Sequence, residues 1–192
     1  MSGKRYAGKD TVANFMKRSF ESRGRRCKLL SIADSCKIDF AKLNGLDADK
    51  MINDREYKEL HRNDLTDYYR SVIETDRLAY EKIIVNRINR LDIDEHDYVV
   101  VRDVRLLSGL NCLLDGLDDH LVTRVRIECS DEDREKRGWK KTDYDYSFAE
   151  TGLDLYDKWD YIIHTSDAPV ASLGRYIDEL IDHMDNIHKN IN

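Results

Sequence analysis

Apolar positions along this chain follow two periods. Short runs of β-branched or large apolar residues at 27–32, 98–101, 122–129 and 161–164 each predict a strand. Between them, apolar residues recur at three- to four-residue spacing, which predicts helices over 11–21, 36–44, 57–62 continuing through 74, 76–91, 105–114, 131–136 and 170–187. Strands that alternate with helices imply an α/β fold. The run Tyr98-Val-Val-Val101 has no polar side and suits a strand covered on both faces, so the expected architecture is a three-layer one, a parallel sheet with helices on both faces. The last helix presents Leu173, Tyr176, Ile177, Leu180, Ile181 and Met184 on one stripe, which fits a cover for one face of that sheet. No repeat, low-complexity segment or proline-rich linker interrupts the 192 residues, and a single domain over 1–192 is expected.

Before the first predicted helix, Gly3, Gly8 and Lys9 fall at the spacing of a phosphate-binding loop. In such a loop the glycines let backbone N–H groups turn toward phosphate oxygens, and the lysine ammonium reaches the β- and γ-phosphates. ATP is therefore the expected ligand, held by Gly3, Lys4, Arg5, Gly8, Lys9, Asp10 and Thr11 at the N-terminus of the helix. The usual Ser or Thr after the lysine is Asp10 here. A carboxylate is also a hard oxygen ligand, but its charge repels a triphosphate unless a cation lies between them, so Asp10 predicts a requirement for Mg²⁺. A loop of this kind normally follows a buried strand, and only Met1 and Ser2 precede Gly3. We therefore expect a shortened chain and a sheet whose first strand is missing.

Charge narrows the function further. A net charge of −6 argues against a dedicated nucleic-acid binder, whose affinity would need a basic surface. No apolar run approaches the length of a membrane span and no secretory apolar core opens the chain, so a cytoplasmic protein with no membrane partner is expected. Cys27, Cys36, Cys112 and Cys129 lack metal or disulfide spacing and read as buried free thiols. The histidines show no ligand spacing and receive no role.

Cations are distributed along the chain: Lys58 and Arg62, Arg77, Arg105, and Arg134 with Arg137. Phosphoryl transfer between two anions needs such groups, and the planar fork of arginine suits a bidentate grip on phosphate. Asp103 and Arg105 follow the apolar run ending at Val101, which places them at the carboxyl end of a strand, where open α/β sheets bind ligands. Arg134 and Arg137 begin a segment over about residues 131–150 that reads as a lid able to close over the phosphates.

The motifs Ser2-Gly-Lys-Arg-Tyr-Ala-Gly-Lys-Asp10, Tyr57-Lys-Glu-Leu-His-Arg62, Asp103-Val-Arg105, Arg134-Glu-Lys-Arg-Gly-Trp139, Glu150-Thr-Gly-Leu-Asp154 and Trp159-Asp-Tyr-Ile-Ile163 resemble, in that order, those of animal-type phosphomevalonate kinases. The stretch Gly8-Lys-Asp-Thr-Val-Ala-Asn-Phe15 is similar to phage-type deoxynucleoside monophosphate kinases. Both resemblances imply a P-loop fold like that of nucleoside monophosphate kinases and transfer of the ATP γ-phosphate to a phosphate monoester. They imply catalytic roles for Lys9, Asp10, Arg105, Arg134 and Arg137, and acceptor binding by Lys58, Arg62, Arg77, Asp103 and Arg105. Relatives of the first kind carry basic residues where Tyr6 and Leu106 stand here, while Tyr68, Tyr69 and Tyr80 are placed to stack on a base. The expected acceptor is therefore a nucleoside or deoxynucleoside monophosphate. The alternatives are 5-phosphomevalonate as acceptor, or a nucleotide-binding paralogue without catalysis.

Overall fold

A computed structural model describes residues 1–91, 97–117, 122–166 and 170–191. The elements run β1 (Ser2–Gly3), α1 (Lys9–Ser22), β2 (Arg26–Ser31), α2 (Ile32–Leu43), α3 (Ala48–Asn53), α4 (Arg55–Leu60), α5 (Arg62–Thr75), α6 (Ala79–Asn89) and β3 (Asp97–Arg102). They continue α7 (Leu107–Gly116), β4 (Val125–Glu128), α8 (Asp131–Lys136), α9 (Phe148–Thr151), β5 (Tyr161–His164) and α10 (Val170–Ile191). Every strand pairing is parallel: β2 with β3, β1 with β4 and β4 with β5. Helices alternate with these strands, so the chain is α/β as its periodicity predicts.

The first strand, expected to be absent, is present as two residues. Ser2 and Gly3 pair with Arg126 and Ile127 of β4. On the other side the Met1 nitrogen donates to the Val101 carbonyl at 2.8 Å, and the Val104 amide donates to the Met1 carbonyl at 3.4 Å. Backbone hydrogen bonds of Met1 thus join the β2–β3 ladder to the β1–β4–β5 ladder. Gly3 is required where the strand meets the loop: its φ is +154°, and a Cβ there would lie 2.6 Å from the Ile127 carbonyl oxygen.

Side chains of β3 alternate between two cores. Tyr98 and Val100 join a cluster with Val12, Met16 and Phe20 of α1 and Ile177, Leu180 and Ile181 of α10. Val99 and Val101 pack against a second cluster built from Leu30, Cys36, Ile84, Leu110 and Leu153. A strand read as apolar on both sides therefore has apolar partners on both sides. In the first core the Phe20 and Tyr98 rings stack with centroids 3.9 Å apart and planes at 17°.

Several boundaries differ from the sequence expectation because side-chain oxygens set them. The Ser31 hydroxyl accepts from the Asp34 amide and starts α2 at Ile32, which periodicity alone assigns to the preceding strand. Asp47 and Asp54 cap α3 and α4 in the same way, and α3 was not expected. The predicted helix from residue 57 through 74 breaks at His61 into α4 and α5. Arg105 falls in the turn before α7 rather than inside it. All four cysteines are free; Cys27 and Cys36 are buried as expected, while Cys112 and Cys129 are partly exposed. Among the described residues no helix is long and apolar enough to cross a membrane.

Phe20 is fully buried and supports the α1–sheet contact. Phe20→Ala is expected to lower the unfolding free energy by about 3–5 kcal/mol, measured by urea denaturation followed by circular dichroism.

Candidate functional site

The loop from Gly3 to Gly8 closes on itself before α1 begins. The Ala7 amide donates to the Lys4 carbonyl at 3.2 Å, and the Lys9 ammonium reaches back to that same carbonyl at 2.8 Å. Tyr6 takes the left-handed backbone conformation, with φ at 61°, and Gly8 follows with φ at 89°. A non-glycine residue held in that region marks a backbone shaped by its surroundings. Gly8 is the N-cap of α1 and has no side chain to receive the first amides of the helix. The helix N-terminus is therefore uncapped, which leaves its first amides available to an anion.

Lys9 is 7% exposed. Burial, reinforced by the nearby Arg105 guanidinium, lowers its pKa to about 8, against the partial compensation of Asp103, Glu150 and Asp10. Asp10, one residue on, projects into solvent and accepts from Arg102 at 2.9 Å. Thr11 is exposed on the same turn. Among the described residues no group of three or more metal-ligating side chains occurs. A magnesium ion at this loop would then be held by Asp10 together with phosphate oxygens, the usual economy of Mg²⁺ sites.

Two carboxylates from the Glu150-Thr-Gly-Leu-Asp154 motif fix the loop from outside. Glu150, with a side chain 1% exposed, accepts the Arg5 amide on Oε2 at 2.9 Å and the Arg105 guanidinium on Oε1. Asp154 takes Lys4 on one oxygen at 2.9 Å and Arg126 on the other at 3.1 Å. Gly152 between them admits close backbone packing, since a Cβ there would lie 2.9 Å from the Arg105 carbonyl oxygen. The sequence motif containing them assigns neither carboxylate a role. The signal was their four-residue separation around a glycine, which says nothing about basic partners some 45 and 150 residues upstream.

The segment expected to form a lid is docked on the loop. Arg5 donates to the Lys140 carbonyl at 2.7 Å, to the Thr142 hydroxyl at 3.0 Å and to both oxygens of Asp145 at 2.9 and 2.8 Å. Burial alone would raise the Asp145 pKa, but Arg5, the Thr142 amide and the Trp139 indole N–H bring it down to about 2. Arg134 is 4% exposed, donates to the Arg5 carbonyl at 3.0 Å and lies over the Trp139 ring at 3.9 Å. The guanidinium lies between the loop and the 131–150 segment, where Nη1 also pairs with Asp131 at 2.7 Å. Arg137 remains at the surface beside the loop, donating to the Tyr6 carbonyl at 3.4 Å and to the Thr165 carbonyl at 2.5 Å. Thr165, at the end of β5, in turn donates its hydroxyl to the Ala7 carbonyl at 2.8 Å.

The remaining expected residues divide. Asp103 sits beside the loop with φ at 67° and accepts from the Ser31 hydroxyl. The carboxylate paired with Arg105 is Glu150, while the Asp103 carboxylate accepts from Ser31, the N-cap of α2. Lys58 and Arg62 belong to α4 and α5; Arg62 pairs with Glu59, and this contact raises its pKa, with smaller contributions from Tyr144 and from Tyr6 of the loop. Arg77 occupies an exposed turn between α5 and α6, and no contact among the described residues joins it to the loop. Tyr80 is buried in the second core and Tyr69 stacks on it with centroids 6.2 Å apart, so these rings pack against each other instead of presenting a free face to a base. Arg102 was overlooked because it ends an apolar run as a lone charge.

The sequence model of the family described as Phosphomevalonate kinase matches residues 1–118, more than half of the chain. The Phosphomevalonate kinase of Drosophila melanogaster is 27% identical over 165 residues, which is 85% of this chain and 85% of that one.

Two outcomes follow from this geometry. Only charged Lys9 attracts phosphate, so the apparent dissociation constant of Mg-ATP should rise about tenfold per pH unit once the pH exceeds the Lys9 value of about 8, as read by calorimetric titration from pH 7 to about 9.5. A flat profile would show that Lys9 does not face the nucleotide. Glu150→Ala leaves Arg105 and the Arg5 amide without their buried acceptor and is expected to cost about 3–5 kcal/mol of stability, measured as a shifted urea midpoint.

Proposed function

The chain belongs to the phosphomevalonate kinase family, and on that premise we propose that it transfers the γ-phosphoryl group of ATP to 5-phosphomevalonate, forming ADP and 5-diphosphomevalonate. The observation that carries this reading is the uncapped α1 N-terminus behind a self-closed loop with a buried lysine, in a chain whose family match spans that loop. The nucleotide acceptor favoured by the loop sequence finds no support in the comparisons, and the tyrosines that motivated it are engaged in packing. The wider kinship inferred from the motifs, with P-loop kinases of the nucleoside-monophosphate type and their three-layer sheet, is part of the same proposal.

In this reading an oxygen of the acceptor phosphate attacks the γ-phosphorus, the bond from that phosphorus to the β–γ bridging oxygen breaks, and ADP leaves with the electron pair. An acceptor phosphate is already anionic near neutral pH, so no general base is required. Lys9 leaves the Lys4 carbonyl to follow the transferred group, and the loop and first-turn amides surround the β- and γ-phosphates. Arg105, held rigidly by Glu150, offers a cation at the carboxyl end of β3. Arg137 reaches the phosphates from the lid side, while Arg134 acts through the loop backbone that it supports. Asp10 is the carboxylate positioned for Mg²⁺, which supplies charge neutralisation when bound. Lys58 and Arg62 provide positive charge on the acceptor side.

ADP release with Mg-ATP, measured against phosphomevalonate and a panel of nucleoside and deoxynucleoside monophosphates, tests the reading. Turnover is expected with phosphomevalonate, and Lys9→Ala should lower kcat about a hundredfold or more. Turnover confined to nucleotides would reverse the substrate assignment. Tight Mg-ATP binding without turnover on any acceptor would favour the non-catalytic alternative.

A further inference from the structure

Most cations around the loop are held in place by buried or paired acids. Lys4 pairs with Asp154, Arg5 with Asp145 and Arg105 with Glu150, and Arg134 is packed between the Arg5 carbonyl and Trp139. Arg102 is placed differently. It is the last residue of β3, at the carboxyl end where parallel sheets receive ligands, immediately before the left-handed turn at Asp103. Its guanidinium spans two helix starts. Nη1 donates to Asp10 in the first turn of α1 at 2.9 Å, and Nη2 donates to Asp34 in the first turn of α2 at 3.1 Å. Arg102 therefore bridges the nucleotide loop and the helix that follows β2.

Neither bond has the character of the Glu150 anchor. The Asp10 side chain is 74% exposed, so its pairing with Arg102 is weak and easily exchanged. Asp34 already has a second cation, Lys37, at 2.6 Å. These bonds leave part of the guanidinium N–H set unused. Nε in particular is buried and has no acceptor among the described residues. A buried donor in that condition is unfavourable until an oxygen reaches it. An acceptor that is itself a phosphate monoester brings several such oxygens, and it needs a cation close to the loop that is not already committed to the scaffold.

We propose that Arg102 is an acceptor-binding residue. It grips an anionic oxygen of the phosphate monoester between the starts of α1 and α2, retaining Asp34 while releasing Asp10 toward the metal-bound nucleotide. This rests on the kinase reading above. The grip uses the planar fork and not charge alone, so lysine is an incomplete substitute.

The test compares Arg102→Ala and Arg102→Lys with the unaltered full chain. The readouts are kcat, KM for phosphomevalonate, KM for Mg-ATP, and a calorimetric dissociation constant for phosphomevalonate in the presence of Mg-ADP. Arg102→Ala should raise the acceptor KM and dissociation constant by about tenfold to a hundredfold and leave the Mg-ATP KM within about threefold, with Arg102→Lys in between. If acceptor binding is unchanged and the loss falls on Mg-ATP or on the metal requirement, Arg102 only positions Asp10 and the proposal is overturned. Should Arg102→Ala fail to fold, Arg102→Lys decides alone, and wild-type acceptor affinity in that protein overturns the proposal. If the unaltered chain turns over a nucleoside monophosphate instead of phosphomevalonate, the substrate reading fails, and the same comparison made with that acceptor still supports or overturns the role of Arg102. A chain that binds no phosphate monoester at all overturns both.

Discussion

The Glu150 carboxylate is the point on which the site depends, because it faces a loop amide and a strand-end cation at once. With its side chain almost wholly removed from solvent, it holds the Arg5 amide on one oxygen and the Arg105 guanidinium on the other. A buried carboxylate is tolerated only when both oxygens are satisfied, and here the satisfying groups belong to the phosphate loop and to the carboxyl end of β3. The same carboxylate that lowers the cost of burying Arg105 therefore ties the loop to the carboxyl end of β3. Asp154, four residues on, repeats the arrangement with Lys4 and Arg126, so one short acidic motif holds the Arg5 amide and the Lys4 side chain from outside the loop.

The placement of the 131–150 segment follows from this frame. With the Arg5 backbone fixed by Glu150, its guanidinium is presented to the 140–145 turn, where Asp145 receives it along with the Trp139 indole and the Thr142 amide. Arg134 closes the circuit by returning a bond to the Arg5 carbonyl. Arg5 is thus a structural hub, and its positive charge is neutralised before any ligand arrives. Arg137 and Arg102 are not placed in that way. Arg137 is bonded to backbone carbonyls, and Arg102 to the exposed Asp10 and the half-buried Asp34, of which the Asp10 pair is the weaker.

The centre of the sheet shows how little backbone is needed to keep two ladders in register. β1 pairs over two residues with β4, and Met1 bonds across to Val101 and Val104. Side chains do the rest: Phe20 and Tyr98 stack beneath the junction, and Met1 packs against the same core as Val125 and Ile127. Gly3 then lets the chain leave β1 past the Ile127 carbonyl, directly into the loop.

What the sequence determined by itself was local in origin. The α/β alternation, four of the strands and the phosphate-loop spacing all rest on periodicity or on residues within a few positions of one another, and periodicity records which faces of an element are buried. The two-residue β1 was invisible because it is too short to show any period. The start of α2 was misplaced because a hydroxyl cap, not the apolar pattern, sets it. Only the tertiary structure decided which charges meet. Arginines alike in sequence came to bond the Arg5 carbonyl at Arg134, the buried Glu150 at Arg105 and both Asp10 and Asp34 at Arg102, because ion pairs form between residues far apart in the chain, and their partners are chosen by the packing of strands and loops rather than by spacing.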